Sequence, residues 1–122
     1  MSFCSVKAEP IRLHCISSDG NRTVDLIIDM EKKMMQWGSA SQYSIVDISK
    51  KFVTAYQKPN GVPGGEVWVM NRQTGEYTRA LAAEMFHYWQ EPEQAKLKGR
   101  IHEGRCSRGN PLKKPVAGKA EF

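Results

Sequence analysis

The chain has 122 residues, 40% of them hydrophobic and 25% charged, which fits one globular domain and excludes a disordered or fibrous chain. No stretch approaches the ~20 consecutive apolar residues of a membrane helix, and residues 1–7 hold no apolar run of a signal peptide. A cytoplasmic location without membrane contact is therefore expected. The formal charge of +5 is unevenly placed: residues 1–94 carry ten Lys/Arg and eleven Asp/Glu, whereas residues 95–122 carry eight and two. This divides the chain into a neutral β-rich domain, 1–94, and a basic, Gly/Pro-containing tail, 95–122.

From Ile11 onward the apolar residues recur with period two in short runs separated by turn residues, the pattern of antiparallel hairpins. Ile11 to Cys15 alternates, Ser18-Asp19-Gly20-Asn21 predicts a tight primed turn, and residues 22–30 return with Val24, Leu26 and Ile28 on one face. A charged turn at residues 31–33 leads to a short strand, Met34 to Trp37. Residues 43–48 and 52–56, dense in β-branched and aromatic side chains, predict the next two strands. Residues 59–65, with two prolines and three glycines, read as an irregular loop suited to function.

Residues 66–70 predict a further strand. Asn71 to Glu76 predicts a type I turn ending with Gly75 in the left-handed conformation, and residues 77–79 should run back. From Ala80 strong helix formers place Leu81, Met85, Tyr88 and Trp89 on one helical face. A short helix near residues 80–90, ending by Pro92, is favoured over a strand. The segment beyond shows little periodicity.

Candidate chemistry is sparse. His14, His87 and His102 with Cys4, Cys15 and Cys106 suggest zinc, but a tetrahedral site needs paired ligands, and His14 and Cys15 point to opposite faces of a strand. The odd cysteine count without a CxxC spacing reads as free thiols. Asp25 and Asp29 share a face, yet four extended residues separate their Cα atoms by roughly 13 Å, beyond the ~5–9.5 Å of paired-carboxylate hydrolysis. No phosphate loop, nucleophile elbow or HExxH is present. The expected function is non-enzymatic, without cofactor or metal.

Two binding surfaces remain. Trp68 and Met70 share the face opposite Val67 and Val69, and with Asn60 and Gly61 of the neighbouring loop they form a candidate partner-binding patch. Lys96, Lys98, Arg100, Arg105, Arg108, Lys113 and Lys114 could track a phosphate backbone, although the tail lacks the aromatic platforms of single-strand binders.

Asp25-Leu26-Ile27-Ile28-Asp29, Tyr43-Ser44-Ile45-Val46-Asp47-Ile48 and Asn71-Arg72-Gln73-Thr74-Gly75-Glu76 together resemble short bacterial and phage β-meander proteins of unknown function with an NRxTG hairpin. The resemblance covers residues 11–79 and implies a meander without implying an activity. The expected fold is mainly β, an antiparallel meander of six or seven strands forming a half-barrel or small sandwich, with one short C-terminal helix. The expected function is binding to a macromolecule, a protein in preference to nucleic acid, as in a phage or mobile-element accessory protein that inhibits a host complex. The alternatives are nucleic-acid binding through the tail and small-ligand binding in a β-barrel cavity.

Overall fold

The structure, a computed structural model, describes residues 9–38, 41–58, 64–82, 99–109 and 121–122. Eight strands follow one another: β1 (Ile11–Ser17), β2 (Thr23–Asp29), β3 (Met34–Trp37), β4 (Ser41–Ile48), β5 (Phe52–Gln57), β6 (Gly65–Asn71), β7 (Glu76–Ala82) and β8 (Arg100–Ser107). Each pairs antiparallel with its sequence neighbours, and β8 returns to β1, so the sheet closes into a barrel. The expected meander is correct, whereas the half-barrel or sandwich is not. Closure comes from β8, which lies inside the segment expected to be a basic tail, so residue 94 does not divide barrel from tail.

The period-two pattern sets the two faces of the wall. Leu13, Leu26, Ile28, Met35, Ile45, Val53, Ala55 and Met70 point inward and are buried, while Asp25, Ser44, Thr78 and Glu103 alternate with inward positions and are exposed. A register shift between Ile45 and Asp47 in the β4–β5 pairing is a bulge that bends the wall. No helix occurs among the described residues. Ala80, Leu81 and Ala82 continue β7, paired with Ile101, Arg100 and Gly65 respectively, and residues 83–90 of the expected helix lie outside the described residues.

The turns follow their side chains. Gly75 is left-handed, φ 80°, as expected, and Asn71 Oδ1 accepts from Gln73 N and Thr74 N at 2.9 and 3.0 Å. The β1–β2 turn differs from the primed turn expected: only Gly20 has positive φ, 77°, whereas a type I′ turn needs two such residues. Asp19 instead organises the loop, its carboxylate accepting from Ser17 Oγ and Asn21 N. Those two bonds hold its pKa below the ordinary value.

Two features tie the last strand to the rest. Gly104 pairs with both Ser17 and Tyr77, and a Cβ there would sit 2.2 Å from the Ile16 carbonyl oxygen and 2.6 Å from the Tyr77 ring. Only glycine admits that approach. Two register positions on, Cys15 and Cys106 face each other inside the barrel and form a disulfide. This corrects the expectation of free thiols for both residues, whose separation of 91 positions gave no local sign of pairing. The end of the barrel holding residues 30–33, 49–51 and 72–75 is capped by Phe122, which packs on the core. Its backbone N donates to the Arg72 carbonyl, and Arg72 Nε donates to the Phe122 carbonyl. The opposite end carries the functional candidates.

Candidate functional site

Towards that opposite end the inward positions change from aliphatic to aromatic and charged: Trp37 on β3, Tyr43 on β4, Glu66 and Trp68 on β6, Tyr77 and Arg79 on β7, His102 on β8. The same alternation that buries Met70 also buries Trp68 and Glu66. Trp68 is 1% exposed and Met70 0%, so neither belongs to a surface patch. The expected partner surface is corrected accordingly, since Val67 and Val69 take the outward positions. Asn60 and Gly61 lie outside the described residues.

Glu66 is the hub. It forms an ion pair with Arg79 Nε and accepts from Trp68 Nε1 at 2.9 Å. Burial first, then the charge of Glu66 and a hydrogen bond to it, push the Tyr43 phenol well above its ordinary range. The Arg79 guanidinium lies 4.6 Å from the centre of the Trp37 ring and 5.6 Å from that of Trp68, within cation–π range. Trp68 meets Trp37 and Tyr43 edge-on, with centroids 6.0 and 6.1 Å apart, and Tyr77 in a tilted contact at 5.1 Å. Long side chains that would otherwise sample many rotamers are thus held in place.

Above this layer is a cavity of about 320 Å³, lined by Trp37, Trp68, Tyr77, Arg79 and His102 from the barrel and by Asn21 and Arg22 from the β1–β2 turn, among others. Its volume is at the small end of the ~300–1,000 Å³ of ligand pockets. β8 opens it to one side, because β1 ends at Ser17 opposite Gly104, leaving residues 101–103 flanked by the β1–β2 turn, with Ser18 N donating to the Glu103 carbonyl. Grooves on either side of Glu103 run along this seam.

His102 sits beside Arg79 in register. Desolvation, then the charges of Arg79, Arg22 and Arg100, lower its pKa below the ordinary value, with Glu66 the opposing influence. The unfolded chain therefore binds a proton more readily, and the resulting stability is present above the ordinary pKa of about 6.5. It is lost as pH falls through the lowered value. Thermal unfolding should show wild type losing more stability than His102→Gln between pH 7 and pH 5. Equal losses would mean that His102 does not report on this cluster.

Of the tail cations, Arg105 pairs with Glu76 at 2.8 Å, and Arg108 donates to the Glu121 carbonyl at 3.0 Å. Arg100 stands at the open rim. These three are spread along β8 and just past its end instead of forming one stripe, and Lys96, Lys98, Lys113 and Lys114 lie outside the described residues. Asp25 Oδ1 accepts from His14 Nδ1 at 2.8 Å on the outer wall, and Asp29 accepts from Lys32 N, so the two carboxylates have separate local partners. Cys106, bonded to Cys15, has no thiolate to offer a metal beside His102.

Sequence reasoning missed Glu66, Arg79 and Trp37. Glu66 and Arg79 are 13 positions apart, and the period-two rule would have placed Glu66 with Trp68 and Arg79 with Tyr77 had closure been foreseen. Among the described residues no helix is long and apolar enough to cross a membrane. No protein-family model, curated protein or solved structure matches the chain.

Proposed function

We propose that this barrel binds a small organic molecule at its open end, without turning it over. The observation that carries the reading is the break in the barrel's interior: apolar packing fills one half, and the other stops at a rigid aromatic and arginine floor beneath a cavity. An eight-stranded barrel has an interior just wide enough for its side chains or for one small ligand, and this one combines the two. Binding without catalysis is supported by the state of Glu66, the one buried carboxylate among the described residues. Arg79 and Trp68 both bond its Oε1, which holds it in place as the partner of a structural ion pair. The cystine favours an oxidising compartment over the cytoplasm.

Protein expressed in its native host should carry a small molecule detectable by native mass spectrometry, and adding that molecule to stripped protein should change the tryptophan emission. Trp37→Leu, which removes one wall, should weaken binding about tenfold or more. Stripped protein whose emission and melting temperature respond to no extracted small molecule would end the reading.

A second reading, docking of a macromolecular partner, keeps one observation in its favour. Tyr56, Val67, Ala80 and Ile101 are successive register partners across the outer wall, and Ile101 is 70% exposed.

A further inference from the structure

We propose that the ligand is a small aromatic carboxylate, its carboxyl group held by Arg79 and Arg22 and its ring set against Trp37 at the cavity wall; this rests on the small-ligand reading above. The cavity lining includes two guanidinium groups and one imidazole, and no Asp or Glu is among its described lining residues. Glu66, which neutralises Arg79, is not part of that lining. An entering group therefore meets cations and hydrogen-bond donors, the complement of an anion.

The geometry of Arg79 narrows the anion. Glu66 takes Nε, and the two indoles take the region over the guanidinium plane. What remains is the edge bearing the two terminal nitrogens, for which no protein acceptor is found among the described residues. No buried side-chain nitrogen there is left unsatisfied, so this edge is reached from the cavity. Two parallel N–H groups in one plane match a carboxylate, which accepts both through its two oxygens. Arg22, exposed at the turn, adds a second positive charge at the rim.

The walls narrow the rest of the molecule. Trp37 is half-buried and offers a flat wall, held rigid by the buried rings of Trp68 and Tyr77 behind it, and rings stack on or edge against such a surface with a gain that flexible chains lack. A volume of about 320 Å³ admits one or two fused rings and excludes a long acyl chain. Arg79 is fixed by Glu66 and the indoles before any ligand arrives, so little ordering cost falls on binding.

Isothermal titration of the full oxidised chain with 2-naphthoate, 2-naphthamide and octanoate separates the possibilities. Naphthoate should bind at least about tenfold more tightly than either of the others, with tryptophan emission changing in parallel. Arg22→Ala, an exposed position, should weaken naphthoate several-fold and leave the amide unchanged, and Arg79→Lys should do the same more strongly by losing the two-pronged contact. Equal binding of amide and naphthoate would overturn the anion assignment, and equal binding of octanoate the aromatic one. Either result leaves the small-ligand reading standing. If none of the three binds and a molecule of another class is recovered from the native host, this proposal alone falls. If none binds and nothing is recovered, both fall.

Discussion

Replacing Glu66 by Gln will destabilise the barrel by about 3–5 kcal/mol, the cost of leaving a buried charge without its partner. The Arg79 and Glu66 side chains are only 14% and 10% exposed, so water at the cavity face of Arg79 only partly replaces the missing carboxylate. Gln keeps an oxygen for Trp68 Nε1, which isolates the loss of charge from the loss of that hydrogen bond. Arg79→Met should cost a similar amount, because it strands Glu66 among Trp68 and Tyr43. The double variant Glu66→Gln, Arg79→Met contains neither charge. Its cost should fall well below the sum of the two, since replacing a buried pair by groups of similar volume is often close to neutral. Urea unfolding of the four proteins gives the coupling directly. Additive costs would mean that the two groups do not act on one another, and the floor of the cavity would then need a different explanation.

That pair also shows where the sequence ran out. The first six strands and the start of β7 follow from alternation, turn residues and β-branched content, and Gly75 takes the conformation its turn requires, whereas Ala80 to Ala82, expected to begin a helix, continue β7. β8 does not follow. Its inward residues are His102, Gly104 and Cys106, and the apolar Ile101 faces outward at 70% exposure, so the usual apolar alternation is absent and the segment reads as a charged tail. The reason is physical: β8 lines the polar half of the barrel and packs through a glycine and a cystine instead of aliphatic side chains. Without β8 there is no closure. Without closure, the face of β6 bearing Trp68 and Met70 has no evident interior to fill, and its sharing of that face with Glu66 argues for solvent. One missing strand therefore turned the interior into an expected surface.

Local rules failed at the same points where the chain departs from simple patterning. A glutamate and an arginine on inward positions violate binary patterning, and they are tolerated because each supplies the other's partner across the β6–β7 pairing. Such departures concentrate where a fold gives up packing for binding. Here Glu66 and Arg79 both lie towards one end of the barrel, beside one cavity, while among the described residues the other half keeps the apolar pattern except at the β4–β5 register shift and at buried Ser107. That segregation ties the unreadable part of the sequence to the candidate site.

A stability loss of similar size is expected from the cystine that joins the first strand to the last. Cys15 and Cys106 enclose nearly the whole barrel, with a separation of 91 positions. Loops of about 100 residues carry a chain-entropy stabilisation near 4–5 kcal/mol, although strain and residual structure reduce it in practice. Removing both sulfurs as Cys15→Ala, Cys106→Ala should therefore cost about 3–5 kcal/mol, read as a lower urea midpoint. Both positions are at most 3% exposed, which makes Ala a better replacement than Ser. The loss should be larger than register alone suggests, because β1 and β8 share four paired positions where β7 and β8 share six. The seam is thus shorter than the pairing on the other side of β8, and it borders the cavity through Ser17, Arg22 and His102. Wild-type protein treated with dithiothreitol should unfold at the midpoint of the double variant, and the variant itself should not respond to dithiothreitol. If the reductant leaves the wild-type midpoint unchanged, the barrel is held shut by Gly104 packing and β-pairing alone.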